Sequence, residues 1–402
     1  MRHFASKVRG RVRAAVVIGG GALLAACSTQ NVPSSVPSRA PVPLQAGTAA
    51  TPVQGEVIGT GETRVALLLP LSAAGNGGAV AAELKNAAQL ALEDAGSDAL
   101  QVVVKDTAGT EAGASAAAAS AEAEGARLVL GPLFAAEVRA ASAGLGPARP
   151  PMIAFSSDRT AAAPGTYLNS FLPEELVRRI IAYAASQGIR RVVALVPNGP
   201  AGDLAEAEAR RTLQAAGGDL IAVGRYGHDN SSVAAAVQQV ALSVGQADAI
   251  FIPDGGNTPS VIVTALRGMG VDLSGKRLLG NGQWTSADLS DPALQGGWFA
   301  DVDQARLAIF KTRYQQRFGT APSVTASLGY DSVILAAALA RQGGANAFAP
   351  ANLQVPVGFA GTTGTFRFRP DGTNERSYAV YEVTNGAPRL ISPAPASFAG
   401  DS

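Results

Sequence analysis

The chain has 402 residues, 47% hydrophobic and 16% charged, enough for two α/β domains of ordinary size. The formal charge is +1, but Arg2, Lys7, Arg9, Arg11 and Arg13 all precede Cys27, and removing those five leaves the remainder at −4. A mildly acidic body argues against a nucleic acid partner, which needs a basic footprint. With one cysteine and two histidines, His3 and His228, no zinc cluster of familiar spacing is built.

From the start of the chain, residues 1–13 read as a basic n-region. Residues 14–26 are apolar and rich in Gly and Ala, the length of a secretory h-region and too short to span a bilayer. The run ends in Leu24-Ala25-Ala26-Cys27, which resembles the lipobox of bacterial lipoproteins. That resemblance implies a signal peptide over residues 1–26, cleavage before Cys27, and a membrane anchor through lipid on Cys27. The next residue, Ser28, leans towards sorting to the outer membrane. Residues 27–62, with Pro33, Pro37, Pro41, Pro43 and Pro52, read as a flexible tether without apolar periodicity.

Order is expected from residue 64. Residues 65–71 form a continuous apolar run, the pattern of a buried parallel strand. A small-residue loop over 72–78 follows, then a helix over 79–95 and a strand over 100–104. Further strands are expected at 128–130 and 151–155, around a helix at 135–144. About 127 residues on, the pattern restarts. Val192-Val-Ala-Leu-Val-Pro197 echoes residues 65–70, and helices at 204–216, 233–244 and 260–269 alternate with strands at 220–223, 249–252 and 277–279. Two such halves imply an α/β fold of two doubly wound lobes, with a ligand crevice outside the carboxyl ends of the strands and hinge closure between the lobes.

Two motifs carry a family resemblance. One is Phe310-x3-Tyr314-x3-Phe318-Gly319-x2-Pro322 with Gly329-Tyr330-Asp331-Ser332. The other is Gly361-Thr-Thr-Gly364-Thr-Phe366-Arg-Phe368-x3-Gly372 with Tyr378-Ala-Val-Tyr381. The span from about residue 64 to about 392 resembles the type I periplasmic binding proteins, the branched-chain amino acid receptors. The resemblance implies hinge crossovers and a body over 63–395. Lobe 1 would take about 63–171 plus 303–345, and lobe 2 about 172–302 plus 346–395. Each motif residue also has a structural job. Phe310, Tyr314 and Phe318 make one helix stripe, Gly319 a helix cap, and Gly364 and Gly372 turns. The lipobox, the tether, residues 66–72 and Leu130-Gly-Pro-Leu133 further resemble the LpoA-like penicillin-binding protein activators, although the helical-repeat domain of that group is missing.

The crevice residues are candidates for ligand contact. In lobe 1 they are Ser72, Leu133, Phe134, Ser156, Ser157 and Asp158; in lobe 2, Asp254, Asn257 and Trp284. Tyr330 and Asp331 are read either as facing the cleft or as building a helix start. Ser156, Ser157 and Asp158 have a second reading as turn formers and caps. The hydroxyl and aromatic partners that amino-acid receptors use for a zwitterion are mostly missing, and a buried charge without partners is costly. No catalytic set, metal site or cofactor motif stands out. His228 lies in a polar loop, and the pairs Glu93-Asp94 and Glu174-Glu175 look like solvated helix faces. The first functional expectation is therefore a non-enzymatic envelope lipoprotein that binds and modulates a peptidoglycan synthase or another envelope protein. The alternative is a lipid-tethered receptor handing a small polar ligand, such as an amino acid, to a transporter.

Overall fold

The computed structural model describes residues 53–227 and 229–399. The expected signal peptide, Cys27, most of the tether and His228 lie outside the described residues.

The first lobe is built on strand β1 (Glu56–Ile58), strand β2 (Arg64–Leu69), helix α1 (Asn76–Ala95), strand β3 (Gln101–Asp106), helix α2 (Glu111–Ala123), strand β4 (Val129–Leu130), helix α3 (Ala135–Gly144), strand β5 (Met152–Ala154) and strand β6 (Thr166–Leu168). The sheet order is β1-β3-β2-β4-β5-β6, parallel except for β1. Both faces of β2 are buried, which its unbroken apolar run requires. Val65, Leu67 and Leu69 pack under α1, while Ala66 and Leu68 pack under α2 and α3.

The second lobe follows with helix α4 (Pro173–Ser186), strand β7 (Arg191–Pro197), helix α5 (Pro200–Ala215), strand β8 (Asp219–Tyr226), helix α6 (Asn230–Val244), strand β9 (Ala249–Phe251), helix α7 (Thr258–Gly268), strand β10 (Arg277–Gly280) and strand β11 (Trp298–Asp301). The echo between residues 65–70 and 192–197 is structural. β2 lies between β3 and β4, and β7 lies between β8 and β9, so each opens its lobe at the same place. Each lobe thus reverses strand order beside its first strand, the place where open α/β sheets form a crevice.

The chain then returns to lobe 1 with helix α8 (Gln304–Phe318) and helix α9 (Ala326–Gly343). Phe310 and Tyr314 bury their stripe against α1, and Gly319 ends α8 in the left-handed conformation at φ 78°. Helix α10 (Pro350–Leu353) and a small sheet of β12 (Phe359–Gly361), β13 (Gly364–Phe368) and β14 (Asn374–Arg376) come next. The chain finishes in lobe 2 with β15 (Ala379–Thr384) and β16 (Ala387–Ser392), antiparallel beside β11. Among the described residues, no helix is long and apolar enough to cross a membrane.

Three details differ from the sequence expectation. Order begins before residue 64, because Val57 and Ile58 pair with Val103 and Val102, and Lys105 donates to the Gln54 carbonyl at 2.8 Å. The segment around 347–376, expected in lobe 2, packs on lobe 1: Phe366 and Phe368 join Tyr167, Phe348 and Leu353 in the core under α9. Helix α2 was not anticipated, being nearly all Ala, Ser and Glu with little apolar contrast to read, and of α4 only Glu174 and Glu175 were placed on a helix.

Candidate functional site

The rims of the two lobes hold most of the residues singled out from the sequence. Ser72 is exposed after β2, and its amide donates to Asp106 at 3.2 Å. Burial pushes the Asp106 carboxyl up, but hydrogen bonds from Ser72 and Ala108 outweigh it and hold the group below its usual range. Leu133 packs half-buried on the lobe core. Phe134 is 41% exposed and lies over Gly77, where an added Cβ would stand 2.9 Å from the ring. These residues therefore meet at the lobe-1 switch point.

The neighbouring polar residues are engaged locally. The Ser156 hydroxyl accepts the Asp158 amide at 3.2 Å. The Asp158 carboxylate caps a short 3-10 turn, accepting from the Thr160 amide at 2.9 Å and its hydroxyl at 2.7 Å. Those two bonds lower the Asp158 pKa. Ser157 is exposed beside them. In lobe 2, Asp254 accepts from the Tyr226 hydroxyl at 2.9 Å and from the Gly255 amide at 2.8 Å. Burial and then the Asp254 charge push the Tyr226 phenol up. Asn257, exposed at the start of α7, lines a cavity of about 170 Å³ with Tyr226, Asp229 and Asp254.

Four expectations are corrected. Trp284 is fully buried, donates its indole N–H to the Ile252 carbonyl at 3.0 Å and packs on Phe299, so it is core and not cleft. Tyr330 is taken up between α9, α8 and α1, where its ring packs on Phe310 and its hydroxyl donates to Asp94 at 2.6 Å. Asp331 starts no helix; it sits six residues into α9, buried 4.0 Å from Arg376, and with Tyr330 it lines a cavity of about 230 Å³ beside α8. Glu174 and Glu175 are buried, at 3% and 6% exposure, and are held by Arg159 at 3.3 Å and Arg178 at 2.8 Å.

Between the lobes the chain crosses three times, at 169–172, 302–303 and 377–378. A buried polar network ties two crossovers to lobe 1. Arg376 donates to Asn169 Oδ1 at 2.6 Å and to the Thr363 hydroxyl at 2.8 Å, and Asn169 donates to the Ser332 hydroxyl at 3.0 Å. Its guanidinium also lies over the Phe171 ring, 4.8 Å from the centroid. Burial lifts Asp331 to about 6, against the pull of Arg376.

Beside these crossovers lies a cavity of about 500 Å³ with walls from both lobes. The crossovers supply Phe171, Val302 and Tyr378, and Pro173 opens α4. Lobe 2 supplies Leu176, Asn281, Gln283, Thr285 and Asp301. Helix α8 adds Gln304, Leu307 and Lys311, and Val324 precedes α9. Asp301 ends β11, accepts the Val302 amide at 2.8 Å and the Gln304 side-chain amide at 2.5 Å, and is lifted to about 6 by burial against those bonds and Lys311. The backbone at Gly282 approaches it so closely that a Cβ would lie 2.8 Å from Oδ1. The Tyr378 hydroxyl is buried and has no hydrogen-bond partner among the described residues. Sequence reading missed these residues, since the signal for each is spread over three distant segments. Among the described residues, no group of His, Cys, Asp and Glu is placed to hold a metal ion.

Two doubly wound lobes, three crossovers and a cavity walled by both lobes define a two-lobed binding protein. The sequence profile of the periplasmic binding protein family matches residues 62–388, and the chain belongs to that family, whose working place is the periplasm. No curated protein matches the chain. Among solved structures, it is similar to a protein of Rhodospirillum rubrum assigned to a branched-chain amino acid ABC transporter (19% identity, 82% of this chain and 99% of that one, TM-score 0.71). It is also similar to an ABC transporter substrate-binding protein of Sphaerobacter thermophilus (21%, 82% and 96%, TM-score 0.62). A third is the solute-binding protein of Rhodopseudomonas palustris BisB5 in complex with 3,4-dihydroxybenzoic acid (20%, 84% and 97%, TM-score 0.57). At these identities the likeness is one of fold.

Proposed function

We propose that this chain is a solute receptor that captures one small organic molecule between its lobes and presents it to an ABC transporter. The observation that carries the reading is the cavity of about 500 Å³ bounded by both lobes and by the crossovers. Its size falls in the range of small-molecule sites, and its walls mix apolar side chains with a few convergent polar groups. A pocket built from both lobes binds better when they close, which couples capture to hinge motion.

The structural neighbours support this reading. They are transporter solute-binding proteins, and one from Desulfitobacterium hafniense was solved with Leu. This reverses the ranking made from sequence, where a peptidoglycan synthase partner rests on the resemblance of the lipobox, the tether and residues 66–72 and 130–133 and on the missing zwitterion contacts. The lipobox supports a receptor tethered through Cys27, in whichever membrane holds its transporter.

The test is a melting screen of the full chain against the amino acids and a set of aromatic acids. One solute should raise the melting temperature, saturably and with one site per chain. If no solute moves it at millimolar concentration, and in-cell crosslinking from Phe134 captures a cell-wall synthase, the receptor reading falls.

A further inference from the structure

We infer that the cavity beside α8 is a second ligand site, separate from the crossover cavity, and that it takes a small neutral molecule with one apolar ring and one hydroxyl, a phenol, held by Asp331 and Thr362. Such a site does not depend on the receptor reading above. Three observations point to it.

First, the two cavities are distinct. Gln304, Leu307 and Lys311 line the crossover cavity, whereas Arg306, Ile309 and Arg313 line the other, so α8 has one on each flank. Their spacing puts each set on its own stripe of the helix. The second cavity belongs to lobe 1 alone. Helix α1 adds Leu90, α9 adds Tyr330, Asp331 and Ile334, and β12 with the turn after it adds Ala360, Gly361 and Thr362.

Second, its size and walls suit a single ring. The volume is about 230 Å³, and an apolar cavity of about 150 Å³ already holds benzene. Leu90, Ile309, Phe310, Ile334 and Ala360 are apolar. Ile309 is 65% exposed, and a ring seated beside it removes that surface from water. Three polar residues of the wall are engaged already. Tyr330 donates to Asp94 at 2.6 Å, Arg313 pairs with the same carboxylate, and Arg306 lies 3.5 Å from Asp303.

Third, the other two polar residues have capacity to spare. Asp331 is 4% exposed. Its Oδ1 accepts the Thr362 amide at 2.9 Å, while Oδ2 has no hydrogen-bond partner among the described residues and stands 4.0 Å from Arg376. The Thr362 hydroxyl is buried and likewise has no partner among them. The wall beside Oδ2 is a glycine: a Cβ at Gly361 would lie 2.6 Å from that oxygen and cover it. One ligand hydroxyl answers both groups, donating to Oδ2 and accepting from Thr362. An ammonium would share the space with Arg306, Arg313 and Arg376, and a carboxylate would face Asp331. A neutral hydroxyl meets neither repulsion.

The test is a ligand-observed NMR titration of the full chain with phenol, toluene, benzylamine and benzoate. Phenol should bind at one site per chain, at least fivefold tighter than toluene, with benzylamine and benzoate weaker than phenol by as much. Thr362→Val, which keeps the shape and the backbone amide, should weaken phenol several-fold and leave toluene within twofold. Ile309→Trp, a change at an exposed position, should fill the mouth and weaken both at least tenfold with the melting curve intact. Gln283→Ala, in the crossover cavity, should leave phenol unchanged. Toluene, benzylamine or benzoate binding as tightly as phenol overturns the inference, as does phenol binding that survives Ile309→Trp or is lost in Gln283→Ala. No phenol binding at millimolar concentration overturns it too, and none of these outcomes counts against solute capture between the lobes.

Discussion

Asp301 is the residue whose chemistry is most exposed to test. Its folded pKa of about 6 lies above the ordinary 3.8, so the folded chain holds a proton that the unfolded chain has released between those values. Stability therefore falls as pH rises through that window, and the cost is complete above pH 6. Asp301→Asn keeps the acceptor for the Val302 amide and removes the charge. Urea unfolding should show the variant about 2 kcal/mol more stable than the parent at pH 7.5, with the gap closing near pH 4. An unchanged gap across that range would mean that the carboxylate is solvated. Tyr378→Phe should raise the stability of the ligand-free chain by about 1 kcal/mol, since a buried hydroxyl with no partner among the described residues is a cost without return. A loss of that size in denaturant melts would show that the hydroxyl does have a partner.

The elements carry two further predictions. Trp284 anchors the turn after β10 by filling the space against Phe299 and bonding the Ile252 carbonyl. Trp284→Ala should cost about 3 to 5 kcal/mol in thermal unfolding without altering the cavity wall at Gln283 and Thr285. A change in ligand affinity at unchanged stability would return Trp284 to the cleft. The crossover network depends on Arg376, buried against Asp331 and Asn169. Arg376→Leu should cost about 3 to 5 kcal/mol by stranding the Asp331 charge, and adding Asp331→Leu should recover part of it. Unfolding of the single and double variants measures the difference.

These elements also show what the sequence could carry. The buried strands were legible because both faces are covered and the apolar run is unbroken, as in residues 65–69 and 192–196. The stripe of Phe310 and Tyr314 was legible because its spacing matches a helix face. Trp284 was misread because position after a strand says nothing of whether a ring points to the crevice or back into the core. Glu174 and Glu175 looked solvated because charge implies exposure until a partner such as Arg178 is placed beside it. The cavity was not legible at all, for its walls come from segments as far apart as Phe171 and Tyr378.

At the scale of the whole molecule, each lobe keeps its own core on both sheet faces, and the crossovers hold them together. That layout suits rigid-body closure, with the backbone change absorbed at 169–172, 302–303 and 377–378. The direct test is the distance between spin labels on the two rims, at Ser157→Cys and Asn257→Cys in a Cys27→Ser background, measured with and without the solute that raises the melting temperature. The two-lobed receptor predicts a shift to distances several ångströms shorter when the solute is bound. An identical distance distribution in both states would contradict capture by closure.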